Sequence, residues 1–154
     1  MTSHDMAKIL VVDDDALNRI LIVTNLEEHG YQVVEAENGQ EALEKLRRGE
    51  YDLVLLDLLM PVMDGFETLR QMKADLNLRH LPVIVISALE EMDSVVRCIE
   101  MGATDHLPKP FDPLLLNARI NASLANKRLR DLERAYLQQI ELEHFAHTQL
   151  NAFL

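Results

Sequence analysis

Four short apolar runs constrain this chain more than any other feature. Ile9-Leu10-Val11-Val12 leads into Asp13-Asp14, Leu53-Val54-Leu55-Leu56 into Asp57, Val83-Ile84-Val85-Ile86 into Ser87, and His106-Leu107-Pro108 into Lys109. Runs of this length, rich in Val and Ile and separated by helix-length segments, predict strands of a parallel sheet covered on both faces. Parallel strands all point one way, and in an open α/β sheet the ligand crevice lies beyond their carboxyl ends. The pattern therefore gathers three carboxylates, a hydroxyl and an ammonium at one sheet edge.

The intervening segments supply the helices. After a strand over 8–12, Asp14 or Asp15 can cap a helix whose apolar positions Leu17, Ile20, Leu21, Val23 and Leu26 follow a 3.6 period until Gly30 stops it. A second strand is expected over 31–36, and Asn38 caps a helix over 39–48 that ends at Gly49. A strand over 52–57 is followed by a Pro-Gly loop to Gly65 and a helix to about Asp75. Pro82 stands at the start of the fourth strand, where it removes no central ladder bond. Glu90–Met101 forms a helix closed by Gly102, and a strand over 105–108 comes next. Asp112-Pro113 opens the last helix, with Asp as cap and Pro at the first helical position. Five βα units in 124 residues make an α/β fold: a doubly wound five-stranded parallel sheet, flavodoxin-like (βα)5, with the last helix extended.

Asp13, Asp14 and Asp57 brought together repel one another, and a hard divalent cation relieves that repulsion. Mg²⁺ takes carboxylate oxygens, keeps several waters and accepts phosphate oxygens as further ligands. A carboxylate can also accept a phosphoryl group as an acyl phosphate, and Asp57, at the end of the expected central strand, is best placed to do so. Ser87 and Lys109 can then each bond a phosphoryl oxygen while the cation holds another, an electrostatic clamp suited to phosphoryl transfer. Any one of these acids alone reads as a helix cap or a solvated loop charge. Acids, Ser and Lys at four strand ends together do not.

These residues resemble the response-regulator receiver domain, the CheY-like module of two-component signalling. The resemblance spans about residues 7–124 and rests on Ile9-Leu10-Val11-Val12-Asp13-Asp14, Leu56-Asp57-Leu58-Leu59-Met60-Pro61-Val62-Met63-Asp64-Gly65, Ile86-Ser87-Ala88 and Leu107-Pro108-Lys109-Pro110-Phe111, in that order. It implies that Asp57 accepts a phosphoryl group from the phosphohistidine of a partner histidine kinase or phosphotransfer protein. Asp14 and Asp57 would ligate Mg²⁺ directly and Asp13 through water, with the Leu59 backbone carbonyl completing the protein ligands. Ser87 takes the place of the switch hydroxyl and Lys109 that of the family's lysine. The protein would not be an enzyme beyond promoting its own phosphoryl transfer and slow dephosphorylation. Two positions depart from the common pattern. His106 stands where a Tyr or Phe ring usually switches, and is expected to stay exposed at the surface. Leu59 is apolar where polar residues are frequent, so it either lies over the acyl phosphate or faces away. The Lys109-Pro110 bond is expected to be cis.

Residues 1–124 are expected to form the receiver and 125–154 a helical extension. After Pro113 there is neither Pro nor Gly as far as Leu150, and Leu129, Leu132, Tyr136 and Ile140 form an apolar stripe that a monomer would leave in water. That stripe predicts a dimerising, coiled-coil helix or a linker to a C-terminal output module, in preference to a helix folded back on its own domain. His144 and His147 read as solvated, and Cys98 as packing.

The formal net charge of −11 excludes a nucleic-acid surface, and no apolar stretch reaches the length of a membrane span. A cytoplasmic protein without signal peptide is expected. Two other classes match part of this pattern. A haloacid-dehalogenase-like phosphatase would explain the D-x-D at Asp13 and Asp15, but its nucleophile lies on that first motif. Leu17 stands where its threonine belongs, and a late acidic pair is missing. A receiver-like dimerisation module indifferent to phosphorylation would leave the complete site unused.

Overall fold

The structure is a computed structural model that describes residues 7–88 and 92–152. Strands and helices alternate as β1 (Lys8–Val12), α1 (Ala16–Glu28), β2 (Gln32–Ala36), α2 (Gly39–Arg48), β3 (Leu53–Asp57), α3 (Gly65–Ala74), β4 (Val83–Ser87), α4 (Met92–Glu100), β5 (Asp105–Pro108) and α5 (Pro113–Ala152). All strand pairings are parallel, in the order β2-β1-β3-β4-β5. This is the expected flavodoxin-like sheet with a long last helix. The expected start of the fourth helix at Glu90 lies outside the described residues.

Side chains alternate across the strands, and each face has its own core. Ile9, Val11, Leu53, Leu55, Ile84, Ile86 and Leu107 pack with Ile22 and Leu26 of α1 and Leu116, Ile120 and Leu124 of α5. Leu10, Val12, Val54, Leu56, Val83 and Val85 pack on the other face with α2, α3 and Cys98 of α4. Cys98 is thus buried packing, and burial pushes its thiol up to about 11, well away from reactivity.

Helix starts follow the local chemistry. Asp15, not Asp14, caps α1, accepting from the amides of Leu17 and Asn18, so Asp14 is left for other work. Asn38 accepts from Glu41 N, Asp64 from Glu67 N and Asp112 from Leu114 N, capping α2, α3 and α5. The return from the β3–α3 loop is tight. Met63 N donates to Pro61 O at 2.8 Å across Val62, whose φ of 70° is left-handed, and Gly65 N then donates to Leu58 O at 2.8 Å.

Helix α5 spans 40 residues, about 60 Å at 1.5 Å per residue. Its buried positions stop at Leu124, and Lys127 is the last half-buried one. Lys127 ties the emerging helix to the domain, 3.9 Å from Asp52 and 2.9 Å from Asp131. Beyond it Leu129, Leu132, Tyr136 and Ile140 are exposed, as are His144 and His147. The helix projects from the domain and does not fold back on it.

A methyl group at Gly65 would lie 2.3 Å from Asp57 O and 2.8 Å from Leu58 Cα, both backbone atoms that cannot step aside. Overpacking of this kind typically costs about 1–3 kcal/mol, and Gly65→Ala is expected to lose stability in that range, as measured by urea unfolding. A variant as stable as the parent would show that the loop does not close on Asp57.

Candidate functional site

Strand register assembles the site. Val12 is level with Leu56, and Asp57 with Ile86, so Asp13, one residue past β1, reaches the level of Asp57. Ser87 is level with Pro108, one step further out, and Lys109 follows. Asp13, Asp57 and Ser87 are 1%, 4% and 0% exposed, whereas Asp14 lies in the open. Lys109 Nζ lies 3.0 Å from Asp57 Oδ1 and 3.9 Å from Asp13 Oδ2. Asp57 Oδ1 also accepts from Leu58 N at 2.9 Å, and Asp13 Oδ1 from Asp15 N at 2.9 Å. Two buried polar atoms of the site, Asp13 Oδ2 and Ser87 Oγ, make no hydrogen bond.

Burial dominates the electrostatics. It pushes the Asp57 carboxyl up to about 6; the Lys109 hydrogen bond opposes this, and the Asp13 charge adds to it. Asp13 is raised as well, first by burial, against the Asp15 amide and the Lys109 charge. One ammonium does not neutralise two buried carboxylates and a third beside them, so the site carries surplus negative charge in a partly dry setting.

The donor set fits a hard divalent cation. Asp13, Asp14 and Asp57 can each present a carboxylate oxygen with all three within 4.8 Å of one another. Asp13 Oδ2, buried without a hydrogen bond, is the kind of orphan such an ion satisfies. A buried, unpaired Ser87 hydroxyl costs about 1–3 kcal/mol, and it too lacks a partner that a bound anion could supply.

Other expected residues fall at the rim. The Leu59 side chain is 61% exposed at the start of the β3–α3 loop. The Lys109-Pro110 bond is cis. His106 differs from expectation. It is half-buried, its Nε2 is covered without a hydrogen bond, and burial, with Arg119 nearby, lowers its basicity. The reason is alternation on β5: Leu107 goes to the α1/α5 core, so His106 turns to the opposite face of the sheet.

Sequence reasoning missed Arg19. Its Nη1 donates to Asp13 O at 2.7 Å and its Nε to Glu35 Oε1 at 3.0 Å. A signal existed: Arg19 is the one Lys or Arg between Lys8 and Lys45, in a stretch holding nine acids.

Fold, register and acid cluster together define a receiver, and comparison with known proteins agrees. The chain belongs to the response regulator receiver domain family, whose family model matches residues 9–121. It is 38% identical over 120 residues to Protein PilH of Pseudomonas aeruginosa, covering 78% of this chain and 99% of that one. It is also 38% identical over 122 residues to the alkaline phosphatase synthesis transcriptional regulatory protein PhoP of Bacillus subtilis, covering 79% of this chain and 50% of PhoP. The response regulator PleD of Caulobacter vibrioides is 41% identical over 116 residues, covering 75% of this chain and 26% of PleD. The chain thus spans half or less of these two longer relatives. Chemotaxis response regulator CheY4 of Vibrio cholerae superposes with a TM-score of 0.72 at 31% identity, over 77% of this chain and 98% of CheY4. The phosphatase reading finds no support in any of these likenesses.

Linkage gives the site a pH signature. In metal-free protein the folded state holds a proton on Asp57 up to about pH 6, whereas the unfolded chain releases it near 3.8. The folded state binds more protons in that window, so stability is greatest on its acid side and falls as pH rises through it, by up to about 3 kcal/mol. Asp57→Asn is expected to be more stable than the parent at pH 7 in chelator and to lose this part of the pH slope. Urea unfolding from pH 4 to 8 checks it; a variant no more stable than the parent at pH 7 contradicts the burial.

Proposed function

We propose that the chain is a phosphorylation-dependent signalling receiver, acting in the cytoplasm, that takes a phosphoryl group onto Asp57 from a partner histidine kinase or phosphotransfer protein. The single observation that carries this is Asp57 itself, a carboxylate almost fully buried at the end of β3 with the Lys109 ammonium at 3.0 Å. Asp57 Oδ1 is engaged by Lys109 and Leu58 N, so Oδ2 attacks phosphorus. As the new P–O bond forms, the P–N bond of the phosphohistidine breaks, its electron pair returns to the partner's imidazole nitrogen, and an acyl phosphate is left on Asp57. Lys109 and Ser87 then meet the phosphoryl oxygens, which satisfies the unpaired Ser87 Oγ. Asp14 and Asp57, with Asp13 through water and the Leu59 carbonyl, would hold Mg²⁺. Bound there, it supplies positive charge against the acids and the transferring phosphoryl group. On this reading the receiver promotes its own phosphorylation and slow dephosphorylation.

The change leaves through β5 and α5. Lys109 lies three residues before the Asp112 cap, so a shift of Lys109 and Ser87 reaches the start of α5 directly. At the far end the exposed stripe of Leu129, Leu132, Tyr136 and Ile140 pairs two copies or leads to an output module. Burying such side chains is worth about 1.5–3 kcal/mol each.

Incubation with acetyl phosphate and Mg²⁺, followed by intact mass, tests the acceptor. The parent is expected to gain one phosphoryl group and Asp57→Asn none; labelling of the variant, or no labelling of the parent, overturns the assignment. Asp14→Ala is expected to weaken Mg²⁺ binding far more than Asp15→Ala, since Asp15 is engaged as the α1 cap; equal losses in a Mg²⁺ titration would mean the cation sits elsewhere. Sedimentation is expected to find a dimer that Leu132→Glu with Ile140→Glu dissolves, and a monomeric parent with or without acetyl phosphate ends the pairing.

A further inference from the structure

Asp14 differs from its two companions in how it is held. Asp13 is fixed almost all round: its N–H donates to Ala36 O at 3.1 Å on β2, and one carboxylate oxygen accepts from Asp15 N. Asp57 is fixed by its strand, Leu58 N and Lys109. Asp14 lies in the open between the end of β1 and the α1 cap. Its direction depends on the peptide plane joining it to Asp13. The carbonyl of that peptide accepts from Arg19 Nη1 at 2.7 Å.

Arg19 is itself held from several sides. Its backbone N donates to Asp15 O at 3.0 Å, its Nε pairs with Glu35 Oε1 at 3.0 Å, and its Nη2 lies 3.7 Å from Glu37 Oε1. The side chain is only 12% exposed. Glu35 belongs to β2, the strand that also receives the Asp13 amide. The planar guanidinium thus bridges the end of β2 to the one carbonyl that sets the Asp13-Asp14 peptide. A lysine ammonium cannot reproduce that fork.

We propose that Arg19, anchored on Glu35, is a positioning residue that holds Asp13 and Asp14 in the geometry that captures the divalent cation. The inference rests on the metal site assigned above. It has a sign that simple electrostatics does not share. Removing a positive charge beside three carboxylates strengthens cation binding if charge alone matters. Removing the group that fixes the ligands weakens it, and supporting partners of metal ligands typically account for about 10–100-fold in affinity.

The test is direct binding of Mn²⁺, followed by electron paramagnetic resonance, and of Mg²⁺ in competition with it, on the full chain without phosphoryl donor. Arg19→Ala is expected to bind at least about tenfold more weakly than the parent. Arg19→Lys keeps the charge and is expected to lie between the two, its urea midpoint close to the parent's. Equal or tighter binding by either variant overturns the proposal. So does an Arg19→Lys protein that no longer folds, because the guanidinium would then be holding the fold and not the acids. A parent that binds neither metal instead refutes the underlying site assignment.

Discussion

Burial of Asp13 and Asp57 against a single ammonium is the constraint on which the rest of the structure turns. Lys109 reaches Asp57 at 3.0 Å and Asp13 only at 3.9 Å, and burial raises both carboxyls above their ordinary range. A protein selected for stability alone would not place two buried acids there. The surrounding framework keeps them in place: five strands with fully buried central members, two separate cores, and a glycine at 65 that lets the loop close on the Asp57 backbone.

That arrangement also places the start of the long helix directly after the site. Ser87 and Lys109 lie at the ends of adjacent strands, and the Lys109 amide donates to Ser87 O at 2.9 Å, which ties the two positions together. From Lys109 the chain passes the cis Pro110 and the Asp112 cap directly into α5. Leu116, Ile120 and Leu124 fasten α5 to the sheet, and Lys127 fixes the point of exit. Under the proposed function a displacement at the site would act on this helix, whose outer part carries exposed apolar side chains. The sheet and α5 are packed as in a core, which transmits small shifts instead of absorbing them.

Much of this was legible in the sequence because parallel strands leave their signature in the residues at their ends. Asp13, Asp57, Ser87 and Lys109 each close an apolar run, and the structure brings Asp13, Asp57 and Lys109 together with Ser87 at the end of the neighbouring strand. The caps at Asn38 and Asp112 followed from local chemistry. The choice between Asp14 and Asp15 did not, because both can reach the first turn and only the geometry at the end of β1 separates them. Gly65 was legible as the end of the loop, but its close approach to the Asp57 backbone is defined only once the loop has folded, and Arg19 stayed hidden because its partner, Glu35, lies on another element. His106 was placed at the surface from its polarity, whereas strand alternation turns its Nε2 inward.

The most direct measurement is the titration of the Asp57 carboxyl carbon by nuclear magnetic resonance in chelator and again with saturating Mg²⁺. Burial and crowding raise the midpoint to about 6 without metal, and the bound cation is expected to lower it, since a coordinated carboxylate resists protonation. An ordinary midpoint near 4 in chelator, unmoved by Mg²⁺, would contradict the claim that these acids form one strained, cation-seeking site.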